Sequence, residues 1–131
     1  MPSIFSRIVA GEIPSYKIAE NDEFYAFLDI NPMTKGHTLV IPKMEIDYIF
    51  DIDDDMIGRM MIFAKKIAKA IKEAIPCLRI GVAVMGLEVP HAHIHLIPIE
   101  KESDMIAGKE KLKLSSDELS AISEKIKAKI S

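Results

Sequence analysis

The sequence predicts an α+β fold: a five-stranded antiparallel sheet with one long helix, a short N-terminal helix and a C-terminal helix. Three observations predict it. Short runs at Tyr16–Glu20, Glu23–Leu28, Gly36–Ile41, Leu78–Met85 and Val89–Pro98 are β-branched, apolar or alternating, as strands are. Met56–Ile75 repeats its apolar residues at helical spacing. The connections are mostly short, and strands followed by a helix, more strands and a last helix favour an antiparallel sheet.

Ile4–Ala10 suits a short helical segment with Ile4, Phe5 and Ile8 on one side, bounded by Gly11 and Pro14. Asn21-Asp22 turns the first strand into the second. Asp29-Ile30-Asn31-Pro32 breaks the second, since Asn-Pro favours a turn. The third strand is ended by Pro42 and has His37 at its start. The acidic run Asp51–Asp55 invites a calcium-loop reading, which requires glycine at the sixth loop position and glutamate at the twelfth. Met56 and Ile62 stand there instead. Asp53 or a neighbour therefore caps a helix, and acidic residues in its first turn suit the helix dipole.

Met56, Met60, Phe63, Ile67, Ile71 and Ala74 form the core stripe of that helix, with lysines on the other face. Ile57, Met61, Ala64 and Ile75 lie beyond the stripe, and a monomer would expose some of them. Pro76 ends the helix. Leu78–Met85 is apolar apart from Arg79 and suits a buried fourth strand. Glu100–Leu114 is polar, contains Gly108 and reads as a linker. Ser115 and Glu118 form a capping box for a helix whose apolar residues are Leu119, Ile122, Ile126 and Ile130. That helix packs on the domain or covers a dimer. Residues 1–99 thus make the main domain, and 100–131 a polar linker and C-terminal helix of the same single-domain chain.

Composition narrows the function. A chain of 131 residues is long enough for one domain with a core that needs no metal or disulfide staple. A net charge of −3 leaves no electrostatic footprint for nucleic acid or an acidic membrane. Cys77 is the only cysteine, so no intrachain disulfide forms. Met1–Pro14 lacks the sustained apolar run of a secretory signal. Arg59, Lys65, Lys66, Lys69 and Lys72 keep the long helix out of a bilayer. A cytoplasmic protein with no membrane or nucleic-acid partner is expected. Neither a Walker A motif nor a Gly-x-Gly-x-x-Gly fingerprint is present.

The chemistry concentrates in Val89–Pro98. Three of the four histidines, His91, His93 and His95, alternate there with Ala92, Ile94 and Leu96. In a strand the imidazoles share one face and the apolar residues the other. A row of buried imidazoles is costly without partners or a task. One metal held by all three fits poorly, because alternate side chains stand about 7 Å apart and the outer two about 13 Å. A His-x-His pair would need a further ligand from Asp29, His37, Cys77 or Glu88. Nucleophilic catalysis suits the row better. A neutral imidazole can attack phosphorus, and neighbouring imidazoles, when protonated, stabilise charge on the phosphoryl oxygens. No cofactor or metal is expected.

His91-Ala92-His93-Ile94-His95-Leu96-Ile97 resembles the signature of the histidine triad (HIT) superfamily, His-φ-His-φ-His-φ-φ with φ apolar. Ile4–Pro14 is similar to the opening of its Hint-like branch, and Phe27–Pro32 and Gly36–Lys43 to its middle. The resemblance spans residues 4–99. It implies a HIT-like sheet and a hydrolase of purine nucleoside phosphoramidates or related nucleoside monophosphate conjugates, working through a nucleotidyl-histidine intermediate. His93 would attack the α-phosphorus, held by the carbonyl of His91, with His95 and His37 near the phosphate. Asp29 would grip the ribose, and Ile4, Phe5, Ile8, Ile13, Phe27, Ile30 and Leu39 would line the purine slot. Gly86 and Glu88, in the connection before the triad, would lie at the nucleotide. A homodimer paired through the long helix and a neighbouring strand is also implied.

Two departures stand out. The connection Met85–Pro90 is shorter than the family's usual loop and lacks its Asn and Gln, and Glu88 stands where Ser or Thr often relays a proton. Met44-Glu45 replaces a basic Lys-His pair. The alternative is therefore a nucleotide-binding or sensing module with weak catalysis.

Overall fold

A computed structural model describes residues 2–106 and 110–130. Gly108, expected in the linker, lies outside the described residues, as do Met1 and Ser131. The elements are α1 (Ile4–Val9), β1 (Lys17–Glu20), β2 (Phe24–Leu28), β3 (Thr38–Pro42), α2 (Asp54–Ala74), β4 (Arg79–Ala83), β5 (Ile94–Ile99) and α3 (Ser116–Lys127). Short 3-10 turns occupy Ile49–Asp51 and Glu102–Met105. The strands form one antiparallel five-stranded sheet in the order β1-β2-β3-β5-β4.

Both faces of the sheet are covered, so β2 and β3 are buried along their whole length. One face, with Phe24, Ala26, Leu28, Val40, Ile94 and Leu96, packs against α2 and α3 in the main core. The other, with Tyr25, Phe27, Leu39 and Ile41, is closed by Phe5 and Ile8 of α1. Strand alternation makes this division, since a side chain on one face places its neighbours on the other. The cap expected for α2 is present: Asp53 accepts the Met56 amide at 2.8 Å, and Asp54 and Asp55 fill the first turn. The capping box of Ser115 and Glu118 opens α3.

Three sequence expectations are corrected. The fourth strand is an exposed edge, with Leu78, Val82, Val84 and Met85 open to solvent. Its apolar run was read as burial, but only one neighbour, β5, pairs with it. Ala64 is core, at 1% exposure. α2 packs against both the sheet and α3, which widens its buried arc. β3 ends at Pro42, which still pairs with Phe24, and β5 runs one residue past Pro98, which pairs with Ile80. Finally, the polar stretch after the sheet folds back, as the Leu112 amide donates to the Pro32 carbonyl at 2.8 Å. Among the described residues, no helix is long and apolar enough to cross a membrane.

Candidate active site

The site lies on the α1 face of the sheet, where β3 and β5 pair. Leu39 is opposite His95 in their register, and Phe27 is opposite Leu39 in the next pair. The cross-strand row Phe27, Leu39, His95 thus runs from an apolar floor to an imidazole. Phe5 meets Phe27 edge-on at 5.5 Å and His93 at 5.0 Å between ring centroids. Ile8 joins that floor, with Ile13 half-buried at its margin. Ile4 and Ile30 are exposed, at 49% and 60%.

The triad does not lie wholly in one strand, as the alternation suggested. β5 begins at Ile94, so His91 and His93 precede it. The reason is in the backbone: the His91 amide turns back to the Val89 carbonyl, and the Ala92 amide bonds to Ile46. Ala92, Ile94 and Leu96 nevertheless enter the main core as their alternation implied.

The hydrogen bonds assign each ring its proton. Nδ1 of His93 lies 2.8 Å from the His91 carbonyl, which can only accept. That nitrogen therefore carries the proton, and the lone pair is on Nε2. Nδ1 of His37 accepts from the Met33 amide at 3.0 Å, so the proton of the neutral ring is on Nε2. That N–H donates to Nδ1 of His95 at 2.9 Å. His95 in turn keeps its own proton on Nε2. Rings of His93 and His95 meet edge-on at 4.9 Å. A lone pair and an N–H donor are thus presented side by side.

Burial favours the neutral form of His37 and His95. It pushes the His37 imidazole down to about 4, with the Lys111 and His93 charges acting the same way. It also pushes His95 down to about 4, reinforced by His37 and His93. Both rings are uncharged at neutral pH. In the free site the donor that His95 offers is therefore a neutral N–H. At His95, desolvation outweighs the attraction of Asp29, whose Oδ2 also lies 3.7 Å from His37 Nε2.

Asp29 follows β2 directly. Its amide donates to the His37 carbonyl, and its Oδ1 accepts from the Asn31 amide at 2.8 Å. Burial raises its pKa, against the pull of that amide bond. Gly36 sets the entry to His37 with a φ of +92°, where a Cβ would stand 3.1 Å from Ile75 Cγ1. Gly86 also has positive φ, at +75°, and Glu88 beside it is exposed.

Asp29, His37 and His95 each place one ligand atom within 4.8 Å of the others, the cluster closest to a metal site among the described residues. It fits zinc poorly. Tetrahedral ligands at zinc distances are about 3.3 Å apart, whereas the two nitrogens here are bonded to each other at 2.9 Å. Neither Cys77 nor Glu88 joins the cluster.

Sequence reasoning missed Ser3, Ser6 and Glu45, which surround His91. Ser3 caps α1 by accepting the Ser6 amide at 3.0 Å. A serine just before an apolar helical segment was the available signal.

Residues 10–102 match the HIT domain family. The chain belongs to the histidine triad family. Adenosine 5'-monophosphoramidase HNT1 of Saccharomyces cerevisiae is 38% identical over 129 residues, covering 97% of this chain and 82% of its own. A HIT-like protein of Bartonella henselae, described as involved in cell-cycle regulation and crystallised with an unknown ligand, superposes with a TM-score of 0.82 at 33% identity. That match covers 97% of this histidine triad chain and 95% of the other. A zinc-bound histidine triad protein of Mycobacterium smegmatis gives a TM-score of 0.80 at 27% identity, covering 97% and 91%.

Proposed function

We propose that the protein hydrolyses purine nucleoside 5'-phosphoramidates or related nucleoside monophosphate conjugates through a nucleotidyl-histidine intermediate, without a metal. The observation that carries this reading is the lone pair on His93 Nε2, fixed there by the His91 carbonyl, beside the His95 N–H. The purine lies in the slot of Phe5, Ile8, Ile13, Phe27 and Leu39, with Ile4 and Ile30 closing on it. Asp29 accepts from the ribose hydroxyls. Nε2 of His93 attacks the α-phosphorus, the phosphorus–nitrogen bond breaks, and the amine leaves with a proton from solvent. Water then attacks the phosphorus, releasing nucleoside monophosphate and restoring His93. The His95 N–H, aligned by His37, bonds the phosphoryl oxygen as its charge grows. The HNT1 relative, named an adenosine 5'-monophosphoramidase, supports the substrate class.

The test uses protein stripped of metal by chelation. It is expected to hydrolyse adenosine 5'-phosphoramidate at an undiminished rate, and a 2',3'-dideoxy analogue poorly because Asp29 loses both partners. Tight nucleotide binding with no turnover would favour the sensing module instead. Activity restored only by zinc would overturn metal independence.

The same reading includes a homodimer. Phe50, Met61, Val82, Val84, Met85 and Leu87 are exposed and line one depression between α2 and the β4 edge. An apolar patch beside an unpaired strand suits a second copy. Sedimentation at micromolar concentration should give twice the chain mass, and a single-chain mass would remove the dimer from the proposal.

A further inference from the structure

His37 and His95, whose neutral forms burial favours, offer hydrogen bonds but no charge to an incoming phosphate. An anion leaving water is costly to hold unless donors or a counter-charge face it. A positive charge is brought to this site from another part of the chain.

The polar segment after β5 brings it. The Leu112 amide donates to the Pro32 carbonyl at 2.8 Å, which seats that segment against the turn following β2. Pro32 follows Asn31, whose amide donates to Asp29 Oδ1 at 2.8 Å. Two hydrogen bonds and two peptide links therefore join Lys111 to the Asp29 carboxylate. Asp29 Oδ2 is 3.7 Å from His37 Nε2, and His37 is bonded to His95 at 2.9 Å. Lys111 thus sits beside the row Asp29, His37, His95. Burial dominates the titration of these three groups, and the Lys111 charge draws all three down. Lys111 is exposed and forms no ion pair among the described residues. Its ammonium is a point charge on a flexible four-carbon stem.

We propose that Lys111 is a phosphate-binding residue: the folded-back segment carries its ammonium to the α-phosphate, which lies between the ribose held by Asp29 and the His95 N–H. This rests on the site taking a nucleotide. The consequence is a preference for the anionic 5'-nucleotide over the uncharged nucleoside. Other roles for Lys111 leave a different signature. A lysine that only kept Asp29 ionised would affect adenosine and adenosine 5'-monophosphate alike, because both present the same ribose. A lysine that only seated the segment would also affect both.

The experiment measures binding of adenosine 5'-monophosphate and of adenosine by calorimetry at low ionic strength, for wild type, Lys111→Ala, Lys111→Arg and Lys111→Glu. Lys111→Ala is expected to weaken the monophosphate about fivefold, the scale of one exposed charge pair, and to leave adenosine unchanged. Lys111→Arg keeps the charge and should keep the preference, while Lys111→Glu should weaken the monophosphate further. Added salt should shrink the preference in wild type more than in Lys111→Ala. Equal losses for both ligands, or an unchanged monophosphate affinity in Lys111→Ala and Lys111→Glu, would overturn the proposal. Binding needs no turnover. A wild-type protein that binds the monophosphate but leaves adenosine 5'-phosphoramidate intact would sink the proposed hydrolysis, and the Lys111 variants would still decide this inference. A wild-type protein that binds neither ligand would remove both.

Discussion

Replacing His93 with alanine should abolish turnover of adenosine 5'-phosphoramidate while nucleotide binding survives. The loss of a nucleophile costs more than about 5 kcal/mol of barrier, or about four powers of ten in rate. Binding survives because the slot of Phe5, Phe27 and Leu39 does not depend on the His93 ring for its packing against Tyr25 and Ile41. His91→Ala and His95→Ala should retain measurable turnover, since neither ring forms the bond to phosphorus. An alkaline quench, in which phosphoramidates persist, followed by mass spectrometry should locate nucleoside monophosphate on His93. An adduct on His91 or His95, or full activity in His93→Ala, would refute the assignment.

Ile126→Ala should destabilise the entire domain. Ile126 in α3 is fully buried, and it shares one core with Leu28 of the sheet and Ile67 of α2. Deleting a buried isoleucine to alanine costs about 2–5 kcal/mol when the cavity cannot collapse. That is a large part of the about 5–15 kcal/mol that holds a typical domain folded. Urea denaturation should show a single transition at a lower midpoint, seen alike by far-ultraviolet circular dichroism and by tyrosine fluorescence. A wild-type midpoint for the sheet, with α3 melting separately, would make the C-terminal helix an appendage.

The sheet and the long helix were legible because burial imposes a period. Phe24, Ala26 and Leu28 repeat every second residue against one core, and Met56, Met60, Phe63 and Ile67 repeat every three or four. What the sequence hid depends on partners far along the chain. β4 reads as buried because its residues are apolar, and only the strand order makes it an edge. His91 and His93 read as strand because they alternate, but Ile46 takes the Ala92 amide that a ladder would have used. The meeting of Ser3 and Glu45 beside His91 was hidden for the same reason: they are 42 positions apart and come together only through the fold. The charge state of His37 was not legible, because composition carries no information about desolvation. His37 is at 1% exposure, and burial decides its protonation.

The division of the sheet into two separately packed faces has a consequence for how such a protein diversifies. The main core, shared by α2, α3 and one face, excludes the floor of the slot, which rests on the smaller cluster around Phe5 and Phe27. Changes at well-separated sites with no shared partners have nearly independent energetic effects. Substitutions that reshape the slot therefore act first on the smaller cluster, on the opposite face from Ala26, Leu28 and Val40 of the main core. A lineage carrying this architecture is free to explore new ligands through the floor residues while its larger core stays under separate selection.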